Sequence, residues 1–399
     1  MASEATRVAF AGMLLMIVGM GIGRFAYTPL LPGLREALGW SLAQAGDVAS
    51  ANYFGYVAGA LAAATIASRS LQRRWLVAGA IGSVLTTAAG AAVLSGYGWL
   101  ALRAGSGLAS AFILVLGTSM VSRRLLVLGR PGLIALHFAG VGIGIVLSVL
   151  LIEAARVAGL SVFGQWALLG IACVVCTIPA LVMLFGAKGG TSARVAGMEA
   201  HATSAAVAAG TPAGQASPTA GRLLGRLIVA YGLFGFGYVV TATFIVEMAR
   251  GLPDARIAEP LAWLAVGLCA MPSTAFWQWV AARLGTWRAL RIAFATEAVG
   301  VLLAGYGGGV VALVVGGGLL GGTFVGITAI GLAAGRRIAP ERADRVMGWM
   351  TAAFGLGQWV GPAVAGRLAE ASGGFGLPSM VAAGLLVIGY ALLRDRGQP

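Results

Sequence analysis

The stretch Gly19-Met-Gly-Ile-Gly-Arg24-Phe-Ala-Tyr27-Thr-Pro29-Leu-Leu-Pro32, which runs on to Gln44, sets an arginine inside a segment otherwise made for lipid. The apolar run leading into it begins near Val8, so Arg24 falls about two-thirds of the way along a helix long enough to cross a bilayer, which takes ~20 residues. A charge at that depth costs ~2.5–3.5 kcal/mol on insertion scales, and it marks a hydrated cavity or a polar partner in preference to lipid. Gly19, Gly21 and Gly23 leave room for another backbone to approach closely. The rest of the chain has to accommodate this arginine.

Of the 399 residues, 59% are hydrophobic and 10% charged, with a mean hydropathy of +0.91, a balance foreign to soluble domains of this length. An integral membrane protein is expected. Its 63 glycines follow no collagen-like period and suit tightly packed transmembrane helices. The apolar stretches are long and unbroken, which favours helices over a barrel of alternating ~10-residue strands. The net charge of +14 is carried in short clusters between apolar segments, so the positive-inside rule accounts for it and a nucleic-acid face is excluded. Cys173, Cys176 and Cys269 lie within apolar helices and read as small buried side chains, not a disulfide framework. The first apolar run continues at full spanning length without an early cleavage pattern, so it is expected to be retained as the first helix.

Apolar runs and their punctuation predict an all-α membrane protein with twelve transmembrane helices, near 7–31, 41–67, 74–95, 98–122, 131–157, 161–186, 222–250, 257–281, 287–306, 308–336, 341–369 and 374–394. Arginines 69, 73, 74, 123, 124, 130, 283, 288, 291, 336, 337, 342 and 345 fall in loops of one side. The opposite side holds only Arg35, Arg156, Arg250, Arg256 and Arg367. Both termini are therefore expected in the cytoplasm of a bacterial-type inner membrane. Residues 187–221, rich in Ala, Gly, Ser, Thr and Pro, read as a flexible cytoplasmic linker in which His201 is solvated. They divide a bundle of six helices at 1–186 from another at 222–399. Shifting the second block back by 214 residues puts Gly235 and Gly237 on Gly21 and Gly23, Arg283 and Arg288 on Arg69 and Arg74, Gly321 on Gly107 and Arg337 on Arg123. A shift of 215 aligns Gly355 and Gly357 with Gly140 and Gly142. This near-constant offset predicts a parallel repeat with a central site between the halves.

Three features carry a family resemblance over essentially the whole chain. One is the six-plus-six division. Another is Arg103-Ala-Gly-Ser-Gly107 in the fourth span, and the third is Gly357-Gln-Trp-Val-Gly361-Pro362-Ala-Val-Ala-Gly366 in the eleventh. Together they resemble the major facilitator superfamily, whose Arg-x-x-x-Gly arginine faces the transport cavity and whose Gly-Pro motif usually belongs to the fifth span. Here the fifth span has Gly140-Val-Gly-Ile-Gly144 without the proline. The loop Ala67-Ser-Arg69-Ser-Leu-Gln-Arg73-Arg74 matches the superfamily's basic loop but lacks its acidic residue. The run from Gly21 to Pro32 is similar to the YbfB/YjiJ-type branch.

The resemblance implies that spans 1, 4, 7 and 10 line a cavity, with 2, 5, 8 and 11 flanking it. Arg24 and Arg103 would then face the cavity as candidate anion ligands, because a guanidinium fork binds planar oxyanions in a bidentate way. Pairing of Arg24 with Asp47, and a purely structural Arg103, are the competing readings. Asp47, His137 and Glu297 are the candidate proton-coupling groups. Glu297, on an outer helix, either turns inward to pair with another polar group or serves an oligomer contact. Tyr231, Phe234, Tyr238 and Thr241 recur at three- and four-residue spacings and offer a cavity wall. Tyr27, Thr323, Phe324, Gln358 and Trp359 complete the candidate substrate-binding set. No metal-ligand pattern, nucleotide cradle or nucleophile elbow is present, so neither an enzyme nor a cofactor is expected.

The expected function is secondary active transport of a small organic anion or weak acid, coupled to protons, by a monomer in the lipid bilayer. Proton-driven efflux of amphipathic drug-like compounds and a transport-fold sensor are the alternatives. A lipid-acting membrane enzyme would need a reactive constellation that the chain lacks.

Overall fold

The structure, a computed structural model, describes residues 2–186 and 218–394, so most of the expected linker, with His201, lies outside the described residues. Helix α1 (Ala2–Met16) runs through a π-helical turn (Ile17–Ile22) and four turn residues into α2 (Tyr27–Leu38). Then come α3 (Leu42–Ala64), α4 (Arg69–Ala89) and α5 (Gly96–Phe112), the last continuing through a second π turn (Ile113–Gly117) into α6 (Thr118–Val127). Helices α7 (Ile134–Val157) and α8 (Val162–Phe185) close the amino-terminal half. The other half holds α9 (Pro218–Arg250), α10 (Ala255–Leu284), α11 (Thr286–Tyr306), α12 (Val310–Ile338), α13 (Ala343–Ser372) and α14 (Gly376–Leu392). No strand occurs among the described residues.

Eight helical stretches are long and apolar enough to cross a membrane, and α14 is a shorter apolar helix. The helices at the expected second, third and eleventh spans, α3, α4 and α13, are long enough but less apolar than those eight. Their ends are set locally. Ser41 caps α3 with Gln44 in a reciprocal capping box, and Ser95 and Ser161 cap α5 and α8.

The expected uninterrupted first helix is broken where it carries its arginine. Through the π turn the Gly23 and Phe25 amides donate five residues back, to Val18 and Met20. The Thr28 amide then donates to the Phe25 carbonyl, not to Arg24 four residues back. Pro29 has no amide to continue the ladder, and its ring clashes with a helical carbonyl four residues earlier. The Arg24 carbonyl is thereby left for another partner. The second π turn lies against the first, with the Ile113 side chain filling the space beside Gly19. Single π turns inside helices are frequent at functional sites.

The 214-residue offset is physical. A Cβ at Gly107 would run into the Asn52 carbonyl, and one at Gly321 would run into the carbonyl of Val266, the residue 214 positions after Asn52. Both glycines are there because two helix backbones touch. Two interactions between the halves also join a residue to its own counterpart: Thr28 Oγ1 donates to the Ala242 carbonyl at 2.7 Å, and Arg250 pairs with Glu36. Residues meet their own counterparts only near the axis that relates the copies, so α1–α2 and α9 run alongside it.

Polar contacts between the halves gather at the arginine-poor end. Arg35 pairs with Glu247, Arg367 forms a bidentate pair with Asp47, and the Glu370 carboxylate accepts from the Ala43 amide. Ser50 Oγ accepts from the Ala363 amide at 3.0 Å. At the same end, backbone meets backbone where Gly46 touches Pro362. Half of the chain is thus clamped to the other half on this side.

Candidate functional site

Arg24 leaves the broken segment at mid-helix and is 3% exposed. Its guanidinium lies over the rings of Tyr56 at 4.2 Å and Tyr53 at 4.6 Å, both on α3, with Phe25 at 5.7 Å. Such cation–π contacts hold a desolvated cation by ~2 kcal/mol or more. They leave donors unsatisfied: Nε and Nη2 have no hydrogen-bond partner among the described residues. A buried unpaired donor costs ~1–3 kcal/mol, and more when charged. The alternative pairing with Asp47 is overturned. Asp47 accepts two bonds from Arg367 at 2.7 and 2.9 Å, and its side chain is 40% exposed rather than enclosed between low-dielectric walls.

Arg103 is placed differently. Its Nη1 donates to the Gly23 carbonyl at 3.0 Å and its Nη2 to the Arg24 carbonyl at 2.9 Å, while Ser106 Oγ also donates to Gly23. Asn52 Nδ2 in turn donates to the Arg103 carbonyl. These bonds satisfy the carbonyls that the helix break releases. Arg103 therefore holds the segment that presents Arg24, and its charge rests against the Tyr27 ring at 4.9 Å. Tyr27 donates its own hydroxyl to the Ala45 carbonyl.

The carboxy-terminal half supplies rings. Tyr238 lies between Phe324 and Phe354, nearly parallel to both, with interplanar angles of 5° and 4° and centroids 5.5 and 5.7 Å away. Phe234 stacks on Tyr238 and Phe354, and Tyr231 leans on Phe234 and Phe354. Phe25, next to Arg24, meets the edge of Phe324 at 5.9 Å, so arginine and stack form one cluster. Gln358 Nε2 donates to the Tyr238 hydroxyl, leaving Gln358 Oε1 buried without a partner among the described residues.

Other expected members are elsewhere or otherwise occupied. Thr323 Oγ1 donates within its own helix, to Leu319 and Leu320, and the Tyr231 hydroxyl donates to the Thr328 carbonyl. Trp359 is partly exposed and rests on Phe54. His137 is buried in the amino-terminal half, with Nε2 at 3.0 Å from Thr118 Oγ1 and its ring against Gly12. Glu297 is fully buried, and neither carboxylate oxygen has a hydrogen-bond partner among the described residues, so the expected pairing with another polar group is not formed there. Tyr53, Tyr56, Phe354 and Asn52 were missed in the sequence. The 53–56 spacing on α3 was the available signal, since residues three apart share a helix face.

A family model described as "Uncharacterised MFS-type transporter YbfB" matches residues 16–394. The crystal structure of the nucleoside transporter NupG is similar, with a TM-score of 0.67 at 15% identity over 98% of each chain. A point mutant of the same transporter gives 0.68 at 14%, again over 98% of each chain. At such identity the likeness is one of fold. No curated protein matches the chain in sequence.

Proposed function

The chain belongs to the YbfB family of MFS-type transporters, and from this premise we propose that it moves a small organic anion or weak acid across an inner membrane together with protons. In this reading residues 1–186 and 222–399 form two six-helix bundles joined by a cytoplasmic linker, and they rock about the central cluster. The observation that carries the substrate class is Arg24: a buried cation with uncommitted Nε and Nη2 donors beside the axis between the halves. An anion there supplies both the missing countercharge and the missing acceptors. Arg103 positions this residue, and the rings of Tyr231, Phe234, Tyr238 and Phe324 form the opposite wall. The clamp at the arginine-poor end supports a state closed on that side. Proton coupling is assigned to Glu297, whose enclosure without a hydrogen-bond donor among the described residues makes any change in its protonation a change in helix packing. His137 and Asp47 are the other titratable groups for the role.

Uptake into proteoliposomes, measured over a panel of small carboxylates with Arg24→Ala and Arg24→Lys, tests the reading. Both variants are expected to lose transport by at least about thirtyfold, because Lys replaces the charge but not the fork. Undiminished uptake by both ends the proposal. The ring stack supports one second reading, efflux of amphipathic compounds, which selective stabilisation by neutral aromatics would favour.

A further inference from the structure

We infer that the ligand held by Arg24 is a planar, hydroxylated aromatic monocarboxylate. This rests on the anion reading above and adds to it the shape and the far end of the substrate. The free nitrogens of Arg24, Nε and Nη2, form the side-on edge of the guanidinium. That edge is the one that meets two carboxylate oxygens at once. With Tyr53 and Tyr56 against its face, the guanidinium offers its edge and little else. A single flat carboxylate matches that edge with one oxygen for each free nitrogen.

Beyond the carboxylate, the surroundings are flat and apolar. Phe324, Tyr238 and Phe354 lie parallel, and Phe324 meets the ring of Phe25, the neighbour of Arg24. Parallel rings favour another ring over an aliphatic body of equal volume, since offset stacking contributes ~0.5–1.5 kcal/mol beyond area burial. Beside these rings one polar atom is unmatched and one hydroxyl is only half used. The Tyr238 hydroxyl already accepts from Gln358 Nε2, so its proton requires an acceptor, and Gln358 Oε1 requires a donor. A hydroxyl on the ligand ring answers both, accepting from Tyr238 and donating to Gln358.

The test is binding to the purified full chain, by calorimetry and thermal shift, of four probes: 4-hydroxybenzoate, benzoate, cyclohexanecarboxylate and benzamide. The expected order is 4-hydroxybenzoate, then benzoate about tenfold weaker, then cyclohexanecarboxylate about fivefold weaker again, with no binding of benzamide. Tyr238→Phe, which removes the hydroxyl assigned to the ligand's own hydroxyl, is expected to shrink the tenfold advantage of 4-hydroxybenzoate over benzoate to about twofold or less. Equal binding of benzoate and cyclohexanecarboxylate overturns the aromatic inference while leaving the anion reading intact. Equal binding of benzoate and 4-hydroxybenzoate overturns the hydroxyl assignment. Benzamide binding as well as benzoate, or no binding by any acid, overturns the anion reading and this inference with it.

Discussion

The run Ala2–Leu38 and its counterpart Pro218–Arg250 lie along the same axis, yet one is broken and the other is a continuous 33-residue helix. Both carry Gly-x-Gly ahead of the central position, Gly21 and Gly23 in one and Gly235 and Gly237 in the other. The central residue itself differs: Arg24 in the first, Tyr238 in the second. The tyrosine satisfies its hydroxyl through Gln358 and stacks its ring, and its helix stays regular. The arginine emerges where the π turn gives way to irregular backbone, and the carbonyls released there are bound by Arg103 and Ser106. The counterparts of those two residues are Gly317 and Leu320, which pack against neighbouring helices beside an unbroken α9. Positions 214 residues apart thus carry a charge in one half and a ring in the other.

The largest expected effect that would break this comparison comes from Arg103. Arg103→Met strips the Arg24 carbonyl of its donor and leaves the Gly23 carbonyl only Ser106, and it should lower stability by ~2–5 kcal/mol in detergent unfolding. A loss below about 0.5 kcal/mol would mean that the break in the first helix supports itself. Next, Gly107→Ala and Gly321→Ala each push a methyl into a helix carbonyl. Each is expected to cost ~1–3 kcal/mol, and the two should agree closely if the repeat is real in packing terms. An innocuous change at one site alone would restrict the repeat to sequence.

Smaller effects are expected at the clamp. Glu247→Gln weakens the pair with Arg35, which is partly exposed, so ~1 kcal/mol and about a fivefold shift toward a state open at the arginine-poor end are expected. Labelling of a cysteine introduced as Ser50→Cys, in a background lacking the three native cysteines, should rise in proportion. The smallest effect is at Glu370, whose carboxyl is held below its usual range by Ser41 and the amides at the start of α3. A carboxylate depressed in this way stabilises the closed contact at neutral pH and loses that contribution as pH falls through its folded titration. Wild type and Glu370→Gln should therefore differ in labelling at neutral pH and converge in acid. A difference that grows on acidification would contradict the assignment.

Much of the fold was open to reading because hydropathy and loop charge are sums over neighbouring residues. The helices lie close to the expected boundaries, apart from the break at Gly23–Ala26, which depends on how Thr28 and Pro29 use their backbone. The site was only partly readable. Arg24 announced itself by being costly in lipid, and the aromatic spacing on α9 pointed to Tyr231, Phe234 and Tyr238. Tyr53 and Tyr56 gave no such sign, since an aromatic pair on a flanking helix looks like ordinary packing until the arginine is found against it.

Taken alone, the order of amino acids determined a helical membrane protein with two related halves and an arginine that needed company, because burial cost and periodicity are local properties. Tertiary structure decided the company. Asp47 went to Arg367, 320 residues away, Arg103 went to two carbonyls, and Arg24 kept a free edge among rings from both halves. Those outcomes depend on which partners lie within hydrogen-bonding distance, at the exposed edge for Asp47 and in the buried interior for the two arginines, and only the packing of distant helices sets that distance.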